Sequence, residues 1–232
     1  ISEVTSVEGI TEYRIESNGL RILLAPDDSK PTTTVNMTYL VGSRHENYGE
    51  TGMAHLLEHM LFKGTATRSA KDISEVIEDV GGHMNAYTGR ETTAYYIHLL
   101  KDHTDLALDV LADMLQHATF PEDELERERA VILQEIHMYE DTPEDMVFEL
   151  AQLSAYPHQA LGASGLGTQD IVKRLTSDDL RSYIASRYTA DRMVISAAGA
   201  VDHDDLVAKV ARAFSHIPTA RQSGIVPGFA PA

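Results

Sequence analysis

Two short apolar-rich runs, Thr11–Ile15 and Leu20–Ala25, flank Ser17-Asn18-Gly19. Asn-Gly between apolar runs is a strong hairpin signal, so both runs are expected to be strands. Pro26 to Pro31 reads as a polar loop, Thr32–Val41 as a strand rich in Thr, Val and Tyr, and Gly42–Glu50 as a second polar loop. Thr51-Gly52 then opens an apolar segment that runs to Phe62, long enough for a helix. Ile73, Val76, Ile77 and Val80 have helical spacing within Ser69–Val80, and Gly81-Gly82 stops it. Ala86-Tyr87-Thr88 and Thr92–Leu100 have strand composition, and Asp102–Gln116 is helical.

Pro121, followed by Glu122, Asp123 and Glu124, is a helix start with an acidic first turn, and this helix is expected to reach about Tyr139. Pro143 precedes a further helix over Glu144–Ala155, and Ser164–Gly167 is a loop. Ser177–Ser186 and Asp202–Phe214 read as helices with Ser and Asp caps, separated by a strand at Met193–Gly199. Strands and helices mix without strict βαβ alternation, which makes α+β the expected class. One domain over 1–218 and a linker or tail over 219–232 complete the expected layout.

Composition narrows the chemistry. The 232 residues are 43% hydrophobic and 24% charged, an ordinary globular balance. There is no cysteine, so disulfides, thiolate zinc sites and cysteine nucleophiles are excluded, and a metal must be held by His and carboxylates. The net charge of −17 disfavours nucleic acid and anionic membranes as partners and attracts cationic ones. No apolar run approaches the roughly 18 residues of a membrane span.

The informative segment is Gly52-Met53-Ala54-His55-Leu56-Leu57-Glu58-His59-Met60-Leu61-Phe62. His55 and His59 are four apart, on one helix face, where two imidazoles can share a metal ion. Glu58 projects beside them and can serve as general base on the metal's water. The bland alternative is a core helix with satisfied histidines, but burying three ionisable groups unpaired would cost several kcal/mol. His-x-x-Glu-His is the inverted form of the common zinc-protease motif. Catalytic zinc takes three protein ligands, so a third must come from elsewhere. Along Pro121–Tyr139, Glu128 and Glu135 differ by only about 20° around the helix. Val131, Ile132 and Tyr139 flank the same direction, so these carboxylates lie on an apolar, inward face. Either could be the ligand, with the other orienting one.

Taken with His55–Thr65, Gly81–Thr88 and Glu126–Glu135, the chain resembles the pitrilysin/insulinase family of zinc peptidases (M16, the inverzincins). It is most similar to the branch of the mitochondrial processing peptidase β subunit and its bacterial homologues. The resemblance runs from Leu20 to about Pro218 and corresponds to the first of the family's two related halves. It implies a mixed, largely antiparallel sheet covered by helices. It also implies one Zn2+ per chain held by His55, His59 and Glu135, Glu58 as general base, and Glu128 as a supporting carboxylate. Gly82, Asn85 and Ala86 match an edge strand that pairs with an extended peptide, and Asp145 and Glu149 match a seat for an arginine of a basic presequence.

The implied function is zinc-dependent endopeptidase action on extended, presequence-like basic peptides. The alternative is a non-catalytic partner or scaffold subunit of the same fold. Implied partners are the peptide, a C-terminal half or related subunit, and pairing of two-half chains into a dimer. The expected compartment is the cytoplasm or periplasm of a bacterium.

Overall fold

The computed structural model describes residues 1–220. Its centre is a seven-stranded sheet formed by β1 (Ser2–Val7), β2 (Ile10–Arg14), β3 (Arg21–Pro26), β4 (Thr32–Tyr39), β5 (His83–Thr88), β6 (Thr93–Leu100) and β7 (Met193–Gly199). The strands lie in the order β1-β2-β3-β7-β4-β6-β5. Only β3 and β7 pair in parallel; every other neighbouring pair is antiparallel. The helices are α1 (Met53–Leu61), α2 (Ala70–Glu78), α3 (Thr104–His117), α4 (Glu122–Glu140), α5 (Pro143–Ala155), α6 (Gln169–Val172), α7 (Ser177–Arg187) and α8 (His203–Phe214). The class is therefore α+β, as the mixed pattern along the chain implied.

The strand period explains the core. On β4, Thr33, Val35, Met37 and Tyr39 are buried while the residues between them are half-exposed. Ile22 and Leu24 of β3, Ile195 and Ala197 of β7, and Ile97 and Leu99 of β6 extend the same layer. Helices cover that apolar face, the usual arrangement for a sheet with one solvated side. α3 supplies Leu108, Val110, Leu111 and Met114 to the core, and α8 supplies Leu206, Val210 and Phe214.

Several local expectations need correction. β1 is a strand that the apolar pattern does not mark: Val4 and Val7 are exposed and, among the described residues, only β2 pairs with it. Its register comes from the Glu8-Gly9 turn, where both residues take positive φ, as a two-residue hairpin turn requires. The hairpin around Asn18-Gly19 forms, but Asn18 is buried and its amide donates to the carbonyls of Phe214 (2.9 Å) and Ile217 (3.2 Å). Thr176, not Ser177, caps α7; Ser177 is buried and donates to the carbonyl of Phe120. On α4 the inward face is Leu125, Glu128, Ile132 and Ile136, whereas Val131 and Tyr139 are 41% and 43% exposed. Apart from Thr219 and Ala220, the expected tail over 219–232 lies outside the described residues. Among those residues no helix is long and apolar enough to cross a membrane.

Candidate metal centre

α1 is fixed at its start by a glycine and a buried carboxylate. Gly52, the N-cap, has φ +91°, and a side chain there would meet the carbonyl of Leu166 at 2.7 Å. Glycine has no side chain to cap the helix, so Glu46 does it from the preceding loop. Its carboxylate accepts from the N–H groups of Gly52 (2.9 Å) and Ala54 (2.7 Å). Burial pushes the Glu46 carboxyl up to about 8, against the pull of these two backbone donors. Met53, Ala54, Leu56, Leu57, Met60 and Leu61 of α1 are buried in the core. The one face left over carries His55, Glu58 and His59, and it is turned towards α4 and β5.

Across from this face α4 presents its two carboxylates. His55, His59 and Glu135 offer three donor atoms within 4.8 Å of one another. His55 Nε2 lies 3.2 Å from His59 Nε2 and 3.5 Å from Glu135 Oε2. A tetrahedral zinc with bonds of about 2.0–2.1 Å separates its ligand atoms by roughly 3.3 Å, so these spacings fit the ion. The protonation of His55 fits as well. Burial, with the neighbouring His59, lowers His55 to about 4, leaving it neutral at neutral pH with a lone pair to give. His55 Nδ1 is buried without a partner among the described residues.

Glu128 takes the other role. Only 8% exposed, it faces His59 Nδ1 at 2.9 Å through Oε2 and Lys63 Nζ at 2.7 Å through Oε1. An N–H on His59 Nδ1 donated to Glu128 leaves Nε2 bare and aimed at the cluster, the usual service of a carboxylate behind a metal-binding histidine. Burial pushes Glu128 up, but hydrogen bonds from Lys63 and His59 outweigh it and hold the carboxyl below its ordinary range. Lys63 is a residue that spacing alone did not single out.

Glu58 is brought to the same place by a different contact. The hydroxyl of Thr88, at the end of β5, donates to Glu58 Oε2. Burial pushes the Glu58 carboxyl up, with the Thr88 hydrogen bond pulling it partly back. Thr88 thus joins the edge strand to the helix that carries the histidines. Its signal in the sequence was only its place at the end of a strand-like run.

The other predicted residues are more spread out. Among the described residues β5 is the outermost strand, paired only with β6, so its far side is an open edge there. Asn85 is exposed, Ala86 is half-buried, and Asn85 Oδ1 accepts from the Ala86 N–H at 2.8 Å. Gly82 has a packing reason of its own: an added Cβ would lie 2.8 Å from Ile77 Cγ2 and 2.9 Å from the Ile77 carbonyl. On α5, Glu149 Oε1 is paired at 3.2 Å with Arg90 of the β5–β6 turn, while Asp145 is half-buried one turn earlier. α5 itself buries no residue, and Val147, Phe148, Leu150 and Leu153 lie exposed on it.

Comparison with known proteins follows the same lines. Residues 21–169 match the family model described as insulinase (peptidase family M16), and residues 174–231 match that of the peptidase M16 inactive domain. A Rickettsia felis protein described as an uncharacterized zinc protease is 41% identical over 210 residues, 90% of this chain and 51% of that protein. The mitochondrial-processing peptidase subunit beta of Bos taurus is 41% identical over 203 residues, 87% of this chain and 41% of that protein. Among solved structures, a protease from Helicobacter pylori superposes with a TM-score of 0.85 at 25% identity, covering 90% of this chain and 51% of that one. The first half of the periplasmic protease PqqL from Escherichia coli shares the fold, with a TM-score of 0.83 at 23% identity, covering 94% of this chain and 48% of that one. The chain spans about half the length of the curated relatives it matches.

Proposed function

The chain belongs to the insulinase family, peptidase family M16, and on that premise we propose that it is the zinc-holding part of a metalloendopeptidase acting on extended peptides. The observation that carries this reading is the convergence of His55, His59 and Glu135, from two separate helices, with Glu58 beside them. These residues would hold one Zn2+, which when bound activates water and polarises the scissile carbonyl. Glu58 takes the proton of the attacking water and delivers it to the leaving amine. Thr88 holds one oxygen of Glu58, which orients the carboxylate for that transfer. Glu128 keeps the His59 ring in place, and Lys63 keeps Glu128 charged.

The peptide lies along the open edge of β5, adding a strand beside Asn85 and Ala86, so that main-chain bonds give affinity and side-chain pockets give preference. The Ala86 N–H, covered by the side chain of Asn85, is a donor such a strand can take over. Asp145 and Glu149 lie one turn apart on α5 and form an acidic seat for an arginine of the substrate. A second half or related subunit is the expected partner, and pairing of two-half chains the expected assembly. The relatives named as zinc proteases and processing peptidases support this reading.

A non-catalytic subunit of the same fold is the competing reading, and the match of residues 174–231 to an inactive domain accords with either, since His55, Glu58, His59 and Glu135 lie outside it. Glu58→Gln separates the two. The substitution is expected to leave one zinc per chain and to lower cleavage of a quenched extended peptide by about 10²- to 10⁴-fold. The assay includes the chain supplied with a second half. Equal turnover by wild type and Glu58→Gln, or none by either, would count against the peptidase reading.

A further inference from the structure

Glu149 does not wait empty for a basic substrate. The guanidinium of Arg90 already occupies it, with Nη2 at 3.2 Å from Oε1. Arg90 stands in the turn after β5, two residues beyond the threonine that holds Glu58. The two side chains are only 29% and 25% exposed, so the pair is partly screened from solvent. Resting on the reading of Asp145 and Glu149 as an arginine seat, we propose that Arg90 is a specificity-setting residue. It fills the seat in the free chain as an internal stand-in for the substrate's arginine, and basic peptides bind by exchanging one guanidinium for another.

The geometry gives three reasons. First, the contact is poor for an arginine. One Nη atom meets one oxygen, whereas the fork of a guanidinium can grip a carboxylate with two parallel bonds. Second, Arg90 Nε is buried without a hydrogen-bond partner among the described residues, an arrangement that costs free energy and is relieved when the side chain leaves. Third, Arg90 can leave without disturbing its own backbone. The turn is pinned to the loop before α1 by Ser43 N–H to the carbonyl of Gly89 (3.1 Å) and Arg44 N–H to that of Arg90 (2.9 Å). The Arg44–Glu91 ion pair ties the same turn independently of Glu149. Asp145, four residues before Glu149 on α5, forms no ion pair among the described residues and would take the incoming guanidinium from the other side.

An exchange of this kind makes a weak, selective seat. A peptide with a neutral residue there gains nothing, because the chain's own arginine already satisfies Glu149. A peptide with arginine gains only the difference between a two-carboxylate grip and the single contact it displaces.

The test uses the full chain, carrying Glu58→Gln to prevent cleavage, and fluorescence anisotropy with two labelled extended peptides that differ only by arginine or norleucine at one position. In this background Arg90→Met is expected to tighten binding of the arginine peptide by about three- to tenfold and to change the norleucine peptide by less than about twofold. Arg90→Lys, which keeps the charge without the fork, falls between. Adding Glu149→Gln erases the gain of Arg90→Met. Unchanged or weaker binding of the arginine peptide by Arg90→Met, or an equal gain for both peptides, overturns the role of Arg90. If Glu149→Gln and Asp145→Asn leave the arginine preference unchanged in both backgrounds, the seat itself is misassigned, a different failure that removes the premise. Circular dichroism of each variant checks that the turn's substitution has left the fold intact.

Discussion

α1 and α5 both carry polar residues given a part in the proposed function, yet they are held in opposite ways. α1 buries six of its nine residues, and its polar face is enclosed by α4 and the end of β5. α5 buries none, leaves Phe148 75% exposed, and reaches the hairpin beside it through the Arg90–Glu149 pair. The difference teaches that the proposed chemistry is positioned by the core while the proposed recognition is positioned by a few surface contacts. Side chains on α1 have no room to choose another geometry. Side chains on α5 can exchange partners at little cost to the fold, which suits the arginine seat proposed there.

The comparison can be broken at the enclosed end first. Glu128→Gln keeps the shape but weakens the hold on His59 and Lys63, and it is expected to cost about 10- to 100-fold in zinc affinity or turnover. Zinc competition and peptide cleavage measure it; a variant indistinguishable from wild type would mean that α4 does not orient the histidine. Glu46→Ala leaves two helix N–H groups without their acceptor and should destabilise the fold by about 1–3 kcal/mol, read by chemical denaturation. The same carboxylate predicts a pH effect. Burial raises Glu46 to about 8, so the folded chain binds its proton more tightly than the unfolded chain. That contribution is complete at low pH and declines as pH rises from the ordinary carboxylate range through about 8. Glu46→Gln should flatten the decline, and an unchanged slope would show that other groups cause it.

Thr88→Val removes the hydroxyl that holds Glu58 while keeping the side-chain shape. Turnover is expected to fall about five- to tenfold with KM nearly unchanged, because only the proposed base is loosened. Thr88→Ser should restore most of the loss; failure of serine to rescue would point to packing instead. The smallest effect belongs to α5. Phe148→Ser should change stability by less than about 0.5 kcal/mol in the chain alone. A larger loss in thermal or chemical denaturation would mean that α5 is held by more than the contacts seen.

Much of the enclosed region could be read along the chain, because its residues obey periodicities that burial enforces. His55, Glu58 and His59 stood out as the polar positions of an otherwise apolar helix. Glu128 and Glu135 stood out as carboxylates on one stripe of α4, although pattern alone left open which one faces the imidazoles. The structure brings Glu135 to them and sets Glu128 behind His59. What the pattern along the chain does not carry is what depends on tertiary contact. Glu46 looks like any loop acid, and only the packing of that loop against a glycine-started helix makes it a cap. Lys63 and Arg90 look like solvent-facing cations, yet both pair with acids more than fifty residues away in the chain. β1 is missing from the pattern for the opposite reason: it buries almost nothing, so it leaves no period to detect. Val131 and Tyr139 show the limit of angular arithmetic, since an apolar residue within the right sector of a helix can still face water.

The central claim is that two imidazoles of α1 and one carboxylate of α4 form a single zinc site, and zinc titration against a competing chromophoric chelator tests it most directly. The account predicts one tight site per chain in the wild type, and a loss of more than about a hundredfold in affinity for Glu135→Gln, beyond the range of outer-shell changes. Equal affinity in the two proteins, or no zinc bound by the wild type, would contradict it.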